Sequence, residues 1–403
     1  MITVEEAFAV VMSGMPRPVP AEMPAAGCAG RVLAEGVLAD MDMPPFDRAA
    51  MDGFALGGEG PLYGLLPAVH AGDPPSGGIG PGEAVPIMTG APVPGGADRV
   101  AMVEHSQVGK GEVEVFPVPG PGANICFRGE DIREGDLLLS PGTLLCPRHL
   151  GIAAMAGRDR LTVLAGPAAG LVTTGNEVVP PSSRPGPGEV RNANMIIMET
   201  LLTGQGFPVS FREHVGDDRD ILLESLRRAI DSSGMLLVAG GVSMGARDYV
   251  PGVLEELGVE FGFGSVAQKP GKPLKFGRTP SGVPVFGLPG NPVSVLVCIE
   301  EYVLPALRHA WGFSAFGKRD FTGTLSEPVE KGAGRTAFAR VRVSGPEGGR
   351  VLSIPATSGS GDLMSTRDAD ALAILDSGRT AYATGESVRY HLLSSVYGGA
   401  AFG

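Results

Sequence analysis

The amino-acid pattern specifies a multidomain protein of α/β and β parts. It has a central three-layer α/β/α domain with a mainly parallel sheet, a β domain inserted ahead of it, and a small C-terminal β-barrel. Three observations carry this expectation. Over 161–311, apolar strand-like runs alternate with helix-length amphipathic segments, as in βαβ units whose sheet is covered on both faces. Over 55–130 and 312–403, short apolar runs are cut by glycine and proline, as in small β domains. A chain of 403 residues, 43% of them hydrophobic, exceeds one ordinary core and can fill several. The expected domains are 1–40 with 134–160 (discontinuous, linking), 41–133 (inserted β), 161–311 (α/β) and 312–403 (barrel).

In chain order, Thr3 is placed to cap a helix over 4–12, with Glu6 as its capping-box partner. GRVLAEGVLAD (30–40) reads as a strand with a glycine break. In MPPFDRAAMDGFAL (43–56), Pro44-Pro45 forces extended backbone, and Asp47, Arg48 and Asp52 crowd a tight polar loop. Carboxylates there equally suit a turn in which they only bind backbone amides. Residues 100–104 and 112–116 alternate as half-buried strands, and Ile87-Met88 runs into a turn at Thr89-Gly90-Ala91. PRHLGIAAMAG (147–157) is a helix opened by proline, and His149 reads as a packed or solvent-facing residue. Strands follow at 161–167, 168–175, 208–216, 235–241, 259–268 and 282–288. Helices are expected over 192–206, 217–233, 251–258 and 291–312. Five last strands, at 320–325, 334–345, 349–357, 370–378 and 386–394, make the barrel.

The net charge of −12 and the lack of any basic run argue against non-specific nucleic-acid binding. Cys28, Cys126, Cys146 and Cys298 are scattered with no CxxC, which points to neither a disulfide framework nor a zinc ribbon and fits a reducing, cytoplasmic setting. Glu5 and Glu6 stand where a secretory leader would carry basic residues. No apolar run approaches the ~18–20 residues of a membrane span.

The densest chemistry lies between Leu236 and Ser294. LLVAGGVSMGARDY ends a buried strand in a glycine turn, Gly240-Gly241-Val242-Ser243-Met244-Gly245, whose free amides suit phosphate. The GxSxG string within it, lacking histidine and acid partners, does not make a hydrolase elbow. KPGKP places Lys269 and Lys272 on a turn stiffened by proline, where mutual repulsion favours a bound anion over a merely solvated turn. In LPGNPVS, Asn291 and Pro292 start a helix at a strand end. Glu177, Asp217, Asp218 and Asp248 fall at the carboxyl ends of strands, where an α/β sheet binds ligands. Carboxylates beside a phosphate turn suit a hard cation such as Mg2+, although Asp218 serves equally as a helix cap.

Taken together, PPFDRAAMDGFA (44–55), IMTGAPVP (87–94), RGEDI (128–132), TTGNE (173–177), VGDD (215–218), GGVSMGARDY (240–249), KPGKP (269–273) and LPGNPVS (288–294) resemble the molybdopterin molybdenumtransferases, the MoeA-like enzymes related to the E domain of gephyrin. The resemblance covers nearly the whole chain. It implies insertion of molybdenum from molybdate into adenylylated molybdopterin with Mg2+, releasing AMP and forming molybdenum cofactor. Tungstate insertion, or a non-catalytic pterin or nucleotide carrier, are the alternatives. The resemblance also implies a homodimer with its cleft between the α/β domain of one subunit and the inserted β domain of the other. A separate molybdopterin adenylyltransferase would supply the substrate. By motif, Asp52, Thr89 and Asp131 would form the second subunit's wall, and Glu177, Asp217 and Asp248 would hold Mg2+ or the adenylate. Gly240, Gly241, Ser243 and Gly245 would cradle phosphate. Lys269, Lys272, Pro292 and Ser294 would meet an anion, with Arg340 and Ser360 added from the barrel for molybdate.

Overall fold

The apolar runs that end in glycine turns lie side by side. In the computed structural model, which describes residues 1–72, 77–242, 248–355, 359 and 361–394, the central sheet contains β1 (Ala169–Thr174), β2 (Val209–Val215), β3 (Met235–Ala239), β4 (Glu260–Phe263), β5 (Lys275–Arg278) and β6 (Pro284–Leu288). Their order is β2-β1-β3-β6-β5-β4. The first four are parallel, and β5 and β4 extend the sheet antiparallel beyond β6. β1, β3 and β6 are buried at every residue, which is why they read as unbroken apolar runs.

Helices cover both faces. On one side α1 (Ala193–Gly204) brings Met198 and Leu202, the N-terminal helix Val4–Gly14 brings Ala7 and Val11, and α4 (Pro292–Cys298) brings Val295 and Cys298. On the other, α2 (Arg219–Ser232) and α3 (Val250–Glu256) bury Leu222, Leu226, Val253 and Leu254. Each helix start is written locally. Thr3 and Glu6 form the expected capping box, Asn192 accepts from the Met195 amide at 3.1 Å, and Asp218 accepts from the amides of Asp220 and Ile221, both at 3.0 Å. The long helix expected after Asn291 runs from Pro292 to Ala310 through a π-helical turn, Ile299–Val303, just ahead of Pro305. Proline lacks the amide and crowds the preceding turn, and the wider turn relieves both.

Two elements differ from expectation. The strand over 161–167 does not enter the central sheet: Val163 and Leu164 pair with Leu33 and Val32 instead, and Pro167 ends the run before β1. Residues 275–278, where no strand is expected, form β5. The segment Lys-Phe-Gly-Arg hides its strand character because only Phe276 and Gly277 are buried, one on each face, between charged ends.

Beyond the long helix five strands close into a barrel. Thr336–Ser344 neighbours Val351–Ser353 and Ala371–Leu375, Phe321–Leu325 neighbours Val351–Ser353 and Ser387–Leu392, and Ser387–Leu392 completes the ring against Ala371–Leu375. Val341, Leu352, Ala371, Ala373 and Tyr390 fill it. Gln268–Lys269 pairs in parallel with Thr336 and Ala337, tying the lysine turn to the barrel wall. The long helix holds the barrel through two glutamates. Glu300 receives Lys318 and, at 3.0 Å, the Ser394 amide. Glu301 meets His391 at 2.7 Å, and the other ring nitrogen of His391 meets Asp320 at 3.0 Å.

The chain divides into two compact units, one of residues 1–23, 28–34 and 162–403, the other of 24–27 and 35–161. Within the second, a six-stranded sheet runs in the order Arg99–Met102, Gly53–Leu56, Glu83–Ile87, Leu62–Leu65, Glu112–Val115, Ser106–Val108. Its alternating residues bury Ala55, Val85, Ile87 and Val100 on one side and Phe54, Leu56, Val113 and Val115 on the other. The helix Pro147–Met155 opens at proline, with His149 Nδ1 receiving the Cys146 amide at 3.3 Å, a capping role. Among the described residues, no helix is long and apolar enough to cross a membrane.

Candidate active site

Strand register brings the marked loops to one edge. Thr174 lies opposite Val215, Thr173 opposite Ala239, and Ala239 opposite Leu288, so four parallel strands end nearly level. The loops carrying Glu177, Asp217, Gly240-Gly241 and Asn291 therefore leave the sheet side by side. Because β5 is antiparallel and its Lys275 pairs with Gly287, the turn with Lys269 and Lys272 enters at this same edge.

The glycine turn is sterically required. Gly240 has φ +98°, and a Cβ there would stand 2.7 Å from the Thr174 carbonyl oxygen. Thr174 Oγ1 is buried beside this turn, without a hydrogen-bond partner among the described residues. Asn194 donates to the Gly290 carbonyl at 2.7 Å while its own Oδ1 is likewise buried and unpartnered. Two orphaned acceptor oxygens at a strand edge mark a place where a ligand or water completes the bonding. Ser243 and Gly245 lie outside the described residues.

The acids are positioned differently from one another. Asp217 and Asn176 clasp reciprocally: the Asn176 amide donates to Asp217 Oδ2 at 3.2 Å, and the Asp217 amide donates to Asn176 Oδ1 at 2.9 Å. Glu177 is exposed on the following residue, and Asp248 is half-buried two residues before α3. Asp218 is spent as the α2 cap. Among the described residues no three His, Cys, Asp or Glu side chains are grouped closely enough to make a ready metal cage.

The cations converge better. Lys269 and Lys272 are exposed while Pro270 and Gly271 between them are buried. Lys269 and Arg340 line one cavity of about 400 Å³, together with Lys331, Glu330, Phe338 and Gly359. Arg340 is only 8% exposed, and its Nε donates to Ser365 Oγ at 3.1 Å. Burial pulls its guanidinium below the usual arginine range, with Asp362 acting the other way. Burial likewise lowers the Lys331 ammonium. Partly desolvated cations beside apolar walls gain from a bound anion. Ser360, next to the lining residue Gly359, lies outside the described residues. Pro292 opens α4 as expected, and Ser294 is buried in its first turn.

In the other unit, Asp52 and Thr89 are brought together. The Thr89 hydroxyl and amide both donate to Asp52 Oδ1, at 2.6 and 2.7 Å. These two bonds hold the Asp52 carboxyl below the usual carboxylate range, the hydroxyl contributing most. Asp47 accepts from the Arg128 amide at 2.8 Å, the turn role open to it from sequence. Asp131 is exposed, its carboxylate without a hydrogen bond among the described residues.

Sequence reasoning missed Thr174, Asn176, Asn194, Gln268 and Lys331. Thr174 and Asn176 lie inside a quoted motif, so a signal existed for them. Lys331 had none, because only barrel closure brings it toward Lys269.

A parallel sheet edge with a glycine turn, and a basic cavity against a closed barrel, define a multidomain α/β and β protein whose strand edge suits phosphorylated or oxyanionic ligands. Residues 2–157 match the MoeA N-terminal region (domain I and II), 170–309 a probable molybdopterin binding domain, and 322–393 the MoeA C-terminal region (domain IV). A molybdopterin molybdenumtransferase of Bacillus subtilis is 30% identical over 91% of this chain and 88% of its own length. One from Synechocystis is 33% identical over 75% and 80%. The crystal structure of a molybdopterin biosynthesis moea protein from Pyrococcus horikosii superposes with a TM-score of 0.81 at 30% identity, covering 98% of this chain and 99% of that one. The chain belongs to the molybdopterin molybdenumtransferase family.

Proposed function

We propose that the chain inserts molybdenum from molybdate into adenylylated molybdopterin, releasing AMP and forming molybdenum cofactor; its relatives' name denotes the transfer of molybdenum to molybdopterin. The observation that carries this reading is the shared cavity: a lysine of the α/β edge and an arginine of the barrel line one space. Molybdate is a compact dianion, and two fixed cations with an apolar floor suit it. Lys272 and Ser294 complete the anion-binding rim, with Ser360 adding to it from the barrel. Gly240, Gly241, Ser243 and Gly245 receive the pyrophosphate, and Pro292 sets the helix start beside it.

Mg2+ fits the donors at this edge. Glu177, Asp217 and Asp248 offer hard oxygens from loops after adjacent strands, and Thr174 Oγ1 is orphaned among them. A closed cage is not needed, since Mg2+ commonly uses one or two carboxylates plus substrate phosphate. Bound there, it would offset pyrophosphate charge and polarise the phosphorus. The Asn176 clasp fixes the Asp217 backbone and one carboxylate oxygen, leaving the other for a ligand. In the reaction step, a molybdate oxygen attacks the adenylyl phosphorus and the bond from that phosphorus to the pterin phosphate oxygen breaks; the two dithiolene sulfurs then bind the molybdenum as the Mo–O bond to the adenylyl group breaks, so AMP leaves carrying the attacking oxygen and Mo(VI) stays on the pterin with its three other oxygens. Oxygen-18 molybdate then labels AMP, and unlabelled AMP refutes the step.

The same reading makes the protein a homodimer in which Asp52, Thr89 and Asp131 of a second copy face the cleft. It adopts the four-domain division 1–40 with 134–160, 41–133, 161–311 and 312–403, and it takes its substrate from a separate molybdopterin adenylyltransferase. We place it in the cytoplasm, in keeping with four free cysteines. The test is one incubation of purified protein with adenylylated molybdopterin, Mg2+ and molybdate. AMP release that Asp248→Ala abolishes supports the proposal. No AMP with molybdate or with tungstate overturns it in favour of a carrier.

A further inference from the structure

Between the two exposed lysines the backbone is buried, and a buried polar side chain lies beneath it. Gln268 is fully buried, rare for an amide side chain. Its hydrogen bonds all serve the turn. Nε2 donates to the Pro270 carbonyl at 3.1 Å and stands 3.7 Å from Cys298 Sγ. Oε1 accepts from the Tyr302 hydroxyl at 2.5 Å. Tyr302 is also fully buried and sits on the π-helical turn of the long helix. Gly271 has φ +95°, and a Cβ there would stand 2.5 Å from Gln268 Nε2 and 2.8 Å from Cys298 Sγ, so the turn is pressed onto this pair. The turn closes on itself, with the Val266 amide donating to the Lys272 carbonyl at 2.9 Å.

We propose that the Gln268–Tyr302 pair is the positioning element of the lysine turn, fixing Lys269 and Lys272 at the separation and height that an oxyanion requires. Neither residue touches the anion. Tyr302 orients the Gln268 amide so that its N–H, not its carbonyl, meets Pro270, and the amide anchors the backbone from which both lysines project. A freely rotating lysine turn would lose much of its binding energy to ordering, and a pre-set one does not. The π-helical turn thus has a use at the site: it seats the Tyr302 hydroxyl beneath the turn.

This inference rests on the proposed role of Lys269 at the anion, and the test separates the two. Tyr302→Phe removes one hydroxyl, and Gln268→Met keeps the volume without the amide. In full-length protein, AMP release is measured against molybdate and against adenylylated molybdopterin, with a melting curve for each variant. We expect KM for molybdate to rise roughly three- to tenfold, the factor one buried hydrogen bond carries. The kcat and the KM for the pterin should change less than about twofold, and the double variant should be no worse than Gln268→Met alone. Lys269→Ala is run alongside. If Lys269→Ala raises KM for molybdate and the two positioning variants do not, the positioning inference is wrong. If Lys269→Ala leaves it unchanged, the anion site itself is misplaced. Losses in kcat, both KM values and melting temperature together would reduce the pair to ordinary core support and also overturn the inference.

Discussion

Lys318→Met tests how the barrel is held against the long helix, and so how Arg340 is kept near Lys269. Glu300 is fully buried and Lys318 side-chain exposure is 9%. Lys318 also donates to the Leu392 carbonyl at 3.0 Å. Its removal leaves Glu300, among the described residues, with the Ser394 amide and hydroxyl, the latter at 2.8 Å, and the charge of Arg308 acting through space. Stranding one partner of a buried pair costs about 3–5 kcal/mol. In a domain of this size each kcal/mol shifts the melting temperature by roughly 2–4 °C, so a drop of about 10 °C is expected. Glu300→Gln combined with Lys318→Met removes both charges, and Gln can still accept from Ser394. The double variant should recover roughly half the loss or more. Calorimetry on the full chain gives the result. A single-variant drop below about 3 °C, or a double variant worse than the single, refutes the claim that a buried charge pair holds this joint.

Three further outcomes follow from the geometry. His391 lies between Glu301 and Asp320, the latter also 3.6 Å from Arg389, with the Glu300–Lys318 pair on the same joint. Burial opposes its charge, but the bonds to Glu301 and then Asp320 win and raise its folded pKa above 6.5. The stability it adds is full below the unfolded value and is lost as pH rises through the folded one. The melting temperature should therefore fall as pH rises from the unfolded value through the folded one, with a slope that His391→Gln flattens; an unchanged slope contradicts the assignment. Gly240→Ala forces a Cβ against the Thr174 carbonyl at 2.7 Å, and strain of about 1–3 kcal/mol should lower the melting temperature by several degrees as well as kcat/KM by roughly an order of magnitude or more. Thr89→Val removes the hydroxyl that contributes most to lowering the Asp52 pKa; carboxyl titration by NMR should show that pKa rising, and no rise would discount the pairing.

Much of the fold was legible because period and punctuation are local. Continuous apolar runs at Ala169–Thr174 and Met235–Ala239 announced strands buried on both faces, and Thr3, Glu6 and Asp218 announced helix starts through their own hydrogen bonds. Lys275–Arg278 escaped because its ends are charged and its only buried residues are one phenylalanine and one glycine on opposite faces. At the site, the gathering of loops could be read from strand ends, and motifs singled out Asp52 and Thr89, but not the two hydrogen bonds that join them across 37 residues of sequence. The Asn176–Asp217 clasp depends on the register of β1 against β2, and the approach of Lys331 and Arg340 to Lys269 depends on barrel closure. Neither is a local property. Gln268 was invisible for the opposite reason: one amide in a strand-like run carries no signal until burial shows that it must have partners.

The central claim is that the cavity shared by Lys269 and Arg340 receives the oxyanion. Equilibrium binding of molybdate to the full-length protein by titration calorimetry tests it most directly, with Lys269→Ala as the comparison because that side chain is exposed and its loss leaves the core intact. Saturable binding is expected, weakened by about tenfold or more in the variant, as for loss of a charged partner. Equal affinity in both proteins would contradict it.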